Sequence, residues 1–289
     1  GFYYKTFMWP ASFWEKYEFF IRHSAGLGKS PNEKDPDIYD HRNIHCDVLV
    51  VGAGISGILA AKNAAKNNLK TLLIEEKNEL GGATINQNRE FNKIDNQSSS
   101  DWIKKEINEL KNISNLEVKT RTSVAAYHGY NYLLARENLT DHLEKKDKNN
   151  KVRQRLLKIR AKKVILATGA LERPLVFNNN DRPGIILSTA VKKYADFFGV
   201  KCGEKNVFFT NNDSAYESAL CLHNKGIKVD AIVDIRDNSN SKIVKAVEQA
   251  GIKIYWSHTV VDTNGYRRLS NISIMRLSND GMTVTGKRI

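Results

Sequence analysis

The stretch DVLVVGAGISG, Asp47–Gly57, decides the fold. Asp47–Val51 is an apolar, β-branched run, the pattern of a strand buried on both faces. Gly52, Gly54 and Gly57, with Ala53, Ile55 and Ser56 between them, fill the spacing G-x-G-x-x-G. The Ala-rich segment Ile58–Asn67 follows without Pro or Gly and predicts a helix. Each glycine has its own physical role. Gly52 makes a tight turn, Gly54 lets bare main chain approach a pyrophosphate, and Gly57 lets helix and strand pack closely. The helix start adds free N–H groups and a partial positive charge for the phosphates. Lys70–Glu75 reads as a second strand. Its terminal acid, Glu75, stands 18 residues beyond Gly57, the separation at which a carboxylate reaches both ribose hydroxyls, and Glu76 follows it. A Gly-rich turn with no ligand is the alternative, and it leaves three glycines and an acid at ligand spacing unexplained. No Arg directly follows the second strand, although Lys77 is close, which favours NAD or FAD over NADP.

Composition bounds the rest. The chain has 289 residues, 41% of them apolar, enough for two domains with real cores. Net charge is +13, from 45 basic and 32 acidic residues. Nucleic-acid binding is one reading of such a charge. The lysines are scattered among Asn and acids, however, and the one dense run, Lys145–Lys163, carries no interleaved aromatic residue. Solvated faces are therefore expected, and no nucleic-acid partner. Cys46, Cys202 and Cys221 form no C-x-x-C, so neither a zinc centre nor a redox dithiol is expected, and no metal. So sparse a set suits a reducing cytoplasm. No apolar stretch approaches the roughly 20 residues of a membrane span, and no membrane partner is expected. The chain starts with Gly rather than Met and stops at Ile289 without a cap or tail, as expected of part of a longer chain.

Three regions are expected: an aromatic arm and linker over residues 1–44, a dinucleotide-binding domain over 45–198, and a second, incomplete nucleotide-like domain over 199–289. In the arm, Pro10 and Ser12 mark a helix start, and Phe13, Trp14, Tyr17, Phe20 and Ile21 share one helical face. A membrane-surface role and packing on the main domain or a partner chain are both open. So many aromatics favour packing. Lys29–Ile44, polar and holding Pro31 and Pro36, reads as a linker. Gly81–Gly82 after the second strand can let the chain pass close to a bound nucleotide, or make a simple turn. Asn86–Ser100 reads as loop and Asp101–Lys111 as a helix with Trp102, Ile103, Ile107 and Leu110 on one side. Leu116–Lys119 is a strand. Thr122–Tyr127 and Tyr132–Arg136 form a hairpin about Gly129–Tyr130, and Val152–Arg160 adds a third ribbon strand beyond the charged loop Asn138–Lys151. Lys163–Ala167 is again a buried strand, running into Ala167-Thr168-Gly169.

A second β-α-β pattern follows: strand Asn206–Thr210, helix Ser214–Lys225, strand Lys228–Asp234 with its terminal acid. Asn211, Asn212 and Asp213 stand where glycines would be. Their side chains block close backbone approach and Asp213 repels a phosphate, so this unit is expected to be nucleotide-shaped but empty. A further helix, Ser241–Gly251, and strands Lys253–Trp256 and Leu269–Leu277 complete the pattern.

Nucleotide unit, ribbon, A-T-G strand and second β-α-β unit together resemble the two-dinucleotide-fold flavoproteins. The expected fold class is thus α/β: a Rossmann-like, glutathione-reductase-like fold with a small antiparallel ribbon and an N-terminal aromatic helical arm. Disulfide reductases of that group carry a Cys pair after the Gly pair or in the second domain. Ala83-Thr84-Ile85 and Asn211-Asn212-Asp213 hold none here. More specifically, Gly1–Pro10 (GFYYKTFMWP), Ala167–Gly184 (ATGALERPLVFNNNDRPG) and Thr210–Tyr216 (TNNDSAY) are similar to the alpha subunits of heterotetrameric sarcosine oxidases, nearly end to end. That family's alpha subunit is longer, with an N-terminal ferredoxin-like and a C-terminal folate-binding domain. The resemblance implies oxidation of sarcosine to glycine with formaldehyde (or methylene-folate) and hydrogen peroxide. It places FAD and the amine chemistry in a beta subunit, with FMN at the alpha–beta contact and smaller subunits completing the complex. It gives the alpha subunit a tightly bound NAD. Carried over, Gly52, Gly54 and Gly57 line the pyrophosphate and Glu75 the adenosine ribose. Gly81, Gly82, Ala167, Thr168 and Gly169 close the site, and Val124 meets adenine through its backbone.

Two functions stay in play. One is an oxidoreductase subunit acting on CH–NH donors, whose siblings act on proline, opines or glycine. The other is a nucleotide-holding scaffold without redox work. No acid, base or nucleophile stands out beside the site. His45 and His128 read as structural, and Glu172 and Arg173 either reach a cofactor ring or pair to fix their loop.

Overall fold

The computed structural model describes residues 9–28, 33–86, 93–148 and 150–289. Most of the GFYYKTFMWP block, the start of the expected linker and residues 87–92 of the expected loop lie outside them. Residues 33–171 form one compact unit, and 9–28 group with 172–289 in the other. The first unit thus ends at Leu171, where 198 was expected, and it begins ahead of the expected boundary at 44.

Before the first unit, a 3-10 turn at Ala11–Phe13 leads into α1, Trp14–Ser24. None of its residues is buried; Trp14, Tyr17 and Ile21 of the expected face are half-buried, while Phe13 and Phe20 are exposed.

In the first unit, β1 runs from Ile38 to Val51, α2 from Ile55 to Lys66 and β2 from Thr71 to Ile74. The short pair β3 (Lys93–Ile94) and β4 (Gln97–Ser98) precedes α3, Ser99–Leu110. Ser98 caps that helix by accepting from Asp101 N at 3.1 Å. There follow β5 (Leu116–Lys119), β6 (Thr122–His128), β7 (Tyr132–Asn138), the single turn α4 (Lys145–Lys148) and β8 (Val152–Leu166). One six-stranded sheet has the order β5-β2-β1-β8-β7-β6. Its first four strands are parallel, and β7 and β6 are antiparallel to their neighbours.

Three expectations need correction. The second half of the expected linker, Ile38–Ile44, is the start of β1. The ribbon strand Val152–Arg160 and the A-T-G strand are one strand, β8, parallel to β1 along its length. Hydropathy hides this because charge pairs stand where apolar residues would: Arg155 Nε and Nη2 donate to Asp40 at 2.8 and 3.0 Å, and Arg153 pairs with Asp37. The expected loop Asn86–Ser100 contains β3, β4 and the start of α3.

Each face of the sheet closes a core. Val48, Val50 and Leu73 pack with Ile58 and Ala61 of α2 and with Trp102 and Ile103 of α3. On the other face, Leu49, Val51, Leu72 and Ile74 share a cluster with Leu133, Ala135, Leu157 and Ile159 of the ribbon. This double burial makes the β1 sequence a continuous apolar run rather than an alternating one.

The second unit holds α5 (Ser188–Asp196), β9 (Lys205–Thr210), α6 (Ser214–Asn224), β10 (Lys228–Asp234), α7 (Lys242–Gln249) and β11 (Lys253–Trp256). β9, β10 and β11 form a parallel sheet in the order β11-β10-β9. An antiparallel sheet of β12 (His258–Asn264), β13 (Asn271–Leu277) and β14 (Val284–Thr285) follows. Val233, Val260 and Ile274 form its core with Phe177 and Phe209.

Candidate dinucleotide site

The site lies where β1 turns into α2, at the C-terminal ends of the parallel strands, the place where open α/β sheets take ligands. Two of the three glycines are dictated by the protein itself. Gly52 has φ +97°, and a Cβ there would stand 2.4 Å from Ala167 O. At Gly57 a Cβ would stand 1.8 Å from Gly52 O, so helix and turn could not meet. Gly54 differs. Its φ of −74° suits any residue, and a Cβ there meets no atom within 4 Å. Gly54 is the N-cap of α2, with no side-chain cap, and helix bonding begins with Ile58 N to Gly54 O at 3.0 Å. The amides of Ile55, Ser56 and Gly57 are thus the free donors of the helix start. The residues present fit a diphosphate: a cradle of bare main chain and open amides, which a side chain at position 54 would enter.

Glu75 directly follows β2 and is 6% exposed. Its two carboxylate oxygens are shared out: Oε2 accepts from Ala53 N at 2.8 Å and Oε1 from Lys77 N at 3.0 Å. The acid therefore fixes the glycine loop, and each oxygen keeps a further lone pair for a hydroxyl. Glu76 is exposed beside it. Gly81 N donates to Ala53 O at 2.7 Å, and Gly82, at φ +58°, lies so close that its Cβ would stand 3.0 Å from Gly54 Cα. The Gly pair is thus docked on the cradle. Ala167 N donates to Val51 O at 2.8 Å, which carries Thr168 Cα to 3.2 Å from the Cβ position of Gly52. Gly169 follows, exposed, at φ +73°. Val124 sits on edge strand β6, beside a bulge and two residues from Thr122, whose N–H donates to Glu75 O at 2.9 Å. All the sequence-derived positions belong to the first unit.

Sequence reasoning missed Arg121. Its N–H donates to Lys77 O at 2.8 Å, and it holds φ +51° between β5 and β6. An Arg in that conformation leaves no signature in the sequence.

The corresponding crevice of the second unit is filled by its own side chains. Asp234, fully buried at the end of β10, accepts from Tyr216 Oη at 2.8 Å and from Arg236 Nη2 at 2.7 Å. Arg236 Nη1 also meets Asp213 Oδ1 at 2.8 Å. The Asn211–Asp213 turn closes on itself: Ser214 N donates to Asn212 Oδ1 at 2.9 Å and Asn212 N to Thr210 Oγ1 at 3.1 Å. Burial, then the bond to Asp234, pushes the Tyr216 phenol well up and keeps it a donor. Arg236 was also missed, although an Arg two residues after the strand-end acid is a readable signal.

Glu172 does not pair with Arg173, which is exposed. It caps α5, accepting from Ser188 N and Oγ at 3.1 and 2.9 Å and from Thr189 N and Oγ1 at 2.8 and 2.6 Å. Burial raises its pKa, but the bonds from Thr189 and Ser188 outweigh this and hold it below the ordinary value. All three cysteines are free thiols. Burial pushes Cys46 up to about 11, and burial with a bond to Asp196 pushes Cys221 up to about 12, so neither is a ready thiolate.

A dinucleotide cradle followed by a self-filled second unit defines a class, and the family model described as pyridine nucleotide-disulphide oxidoreductase matches residues 49–284. The chain belongs to that family, whose fold is an FAD/NAD(P)-binding one. It is 36% identical over 288 residues to the sarcosine oxidase subunit alpha of Rhizobium meliloti (strain 1021), covering 97% of this chain and 29% of that protein. It is 39% identical over 257 residues to the sarcosine oxidase subunit alpha of Corynebacterium sp. (strain P-1), covering 88% of this chain and 26% of that one. The chain therefore spans less than a third of these relatives, and the resemblance read from its sequence blocks stands. Among solved structures, the thioredoxin reductase of T. acidophilum superposes with a TM-score of 0.58 at 17% identity, over 85% of this chain and 74% of that one, a likeness of fold alone. Among the described residues no helix is long and apolar enough to cross a membrane, and no group of three His, Cys, Asp or Glu could hold a metal.

Proposed function

We propose that this chain is the NAD-holding part of the alpha subunit of a sarcosine-oxidase-like complex, working in the cytoplasm. In this reading a beta subunit oxidises the amine, FMN sits at the alpha–beta contact and would pass the electron pair to molecular oxygen, and sarcosine with oxygen and water yields glycine, formaldehyde (or methylene-folate where folate takes the carbon) and hydrogen peroxide. The observation that carries it is Gly54, a glycine that neither backbone conformation nor packing requires. Bound NAD would supply a hydride-accepting ring or, if never reduced, a structural clamp. The chain's own residues bind and orient: Ile55, Ser56 and Gly57 amides toward the diphosphate, Glu75 toward the adenosine ribose, Gly82 and Thr168 against the loop. Glu75 is already engaged by two amides, which supports a holding role rather than proton transfer. FAD in the same cradle is the second reading, favoured by the family's fold.

The test is mass analysis of the nucleotide released from the protein, its absorbance spectrum, and peroxide release on adding sarcosine to the co-produced complex. NAD in the alpha chain with sarcosine-dependent peroxide supports the proposal. Flavin absorbance in the isolated chain, or turnover of proline, an opine or glycine in place of sarcosine, replaces it with a sibling function.

A further inference from the structure

The outward face of the ribbon belongs to no part of the nucleotide site. Leu133, Ala135, Leu157, Ile159 and Ala161 point into the core, so the residues alternating with them point the other way. The register sets these in three rows. His41 faces Leu156, which faces Arg136; Asn43 faces Lys158, which faces Leu134; His45 faces Arg160, which faces Tyr132. His41, His45, Arg136, Leu156 and Arg160 are exposed. The Arg160 guanidinium lies 5.0 Å from the centre of the Tyr132 ring and is held by Tyr130 O at 3.2 Å.

No acid stands in these rows. At the margins, Asp47 pairs with Lys162 at 2.8 Å and Asp141 with Arg153 at 2.7 Å, while Asp35 accepts from the neutral Tyr39 Oη at 2.8 Å and lies outside the rows. Among the described residues, Arg136, Lys158 and Arg160 are thus a cluster of cations without a carboxylate partner. Leu156 and Leu134 stand between them, Leu156 39% exposed. A polyanion groove gains from unbroken cations and free stacking rings. Arg and Tyr mixed with aliphatic residues is the composition of a protein interface.

We propose that this face receives an acidic surface of a companion protein subunit, an inference that rests on the subunit reading above. Charge complementarity steers such a contact and fixes its register. The full-length protein, co-produced with its beta-type companion, provides the test. One variant combines Arg136→Glu, Lys158→Glu and Arg160→Glu. A control with the same charge change combines Lys104→Glu, Lys105→Glu and Lys245→Glu on exposed helix faces. Association is read by light scattering across a salt series, and nucleotide content is read in every sample. The expected result is association weakened by at least about tenfold in the ribbon variant, within about twofold in the control, with nucleotide content unchanged. Equal weakening in both variants, or in neither, overturns the inference. So does a ribbon variant that keeps its companion but loses wild-type binding to a single-stranded DNA oligonucleotide or to phosphatidylglycerol vesicles. A wild-type protein that binds neither nucleotide nor companion overturns the functional reading itself.

Discussion

Gly54→Ala and Gly54→Val separate what the ligand requires from what the fold requires. A Cβ at position 54 meets nothing within 4 Å, and the backbone there is extended at φ −74°. The Ala variant therefore folds normally: the gain of about 0.4–1 kcal/mol from an unfolded chain with fewer conformations to lose is offset by a loss of about the same size, because Ala is a poorer N-cap than Gly. At roughly 2–4 °C per kcal/mol, the melting temperature stays within a few degrees of wild type. Ligand binding moves much further. A hydrogen bond from an amide to a charged phosphate contributes about 1.5–3 kcal/mol. Displacing the diphosphate from two amides of the α2 start costs about 3–6 kcal/mol, or roughly 10²- to 10⁴-fold in Kd. Val, with two further methyl groups in the same space, sits at the upper end. Calorimetric titration with NAD and FAD, beside urea unfolding of the same samples, reads both effects. A Val variant that binds nucleotide with wild-type affinity refutes the cradle. An Ala variant that fails to fold refutes the claim that the space belongs to no protein atom.

Other substitutions report on the frame. Gly57→Ala puts a methyl 1.8 Å from Gly52 O and is expected to destabilise the first unit by about 3 kcal/mol or more, read by urea unfolding. Glu172→Ala removes the cap of α5 and is expected to cost about 1–2 kcal/mol at neutral pH. Because the folded carboxyl titrates below its ordinary value, that contribution is complete above the unfolded value and is lost as pH falls through the folded one. The gap in melting temperature between wild type and variant therefore closes on acidification, and a gap that widens contradicts the cap. Arg236→Ala strips the buried Asp234 of its guanidinium. The partly exposed Arg sets the cost near the lower end of about 3–5 kcal/mol, measured by denaturant unfolding.

The nucleotide unit was legible because its residues are doubly constrained. Gly52 and Gly57 answer to backbone geometry, and Asp47–Val51 answers to burial on both faces, so each leaves a pattern that periodicity detects. The first half of β1 and the join in β8 were not legible. There Asp37, Asp40, Arg153 and Arg155 stabilise strand pairing through charge pairs, and a polar strand of that kind reads as a linker or a separate ribbon. Glu172 was ambiguous because its partners, Ser188 and Thr189, lie 16 and 17 residues on, at the start of a helix whose N-cap, Leu187, makes no side-chain cap of its own. The second crevice was read as empty from the missing glycines and from the charge of Asp213. That Arg236 reaches back to Asp213 and Asp234 is a three-dimensional fact with only a spacing hint in the sequence.

Hydrogen exchange on the nucleotide-free protein, before and after adding NAD, bears most directly on where the ligand rests. Slowed exchange at the amides of Ile55, Ser56 and Gly57, with none at Asn211–Asp213, is the expected result. Protection beside Asn211–Asp213, or an unchanged α2 start at saturating nucleotide, would contradict it.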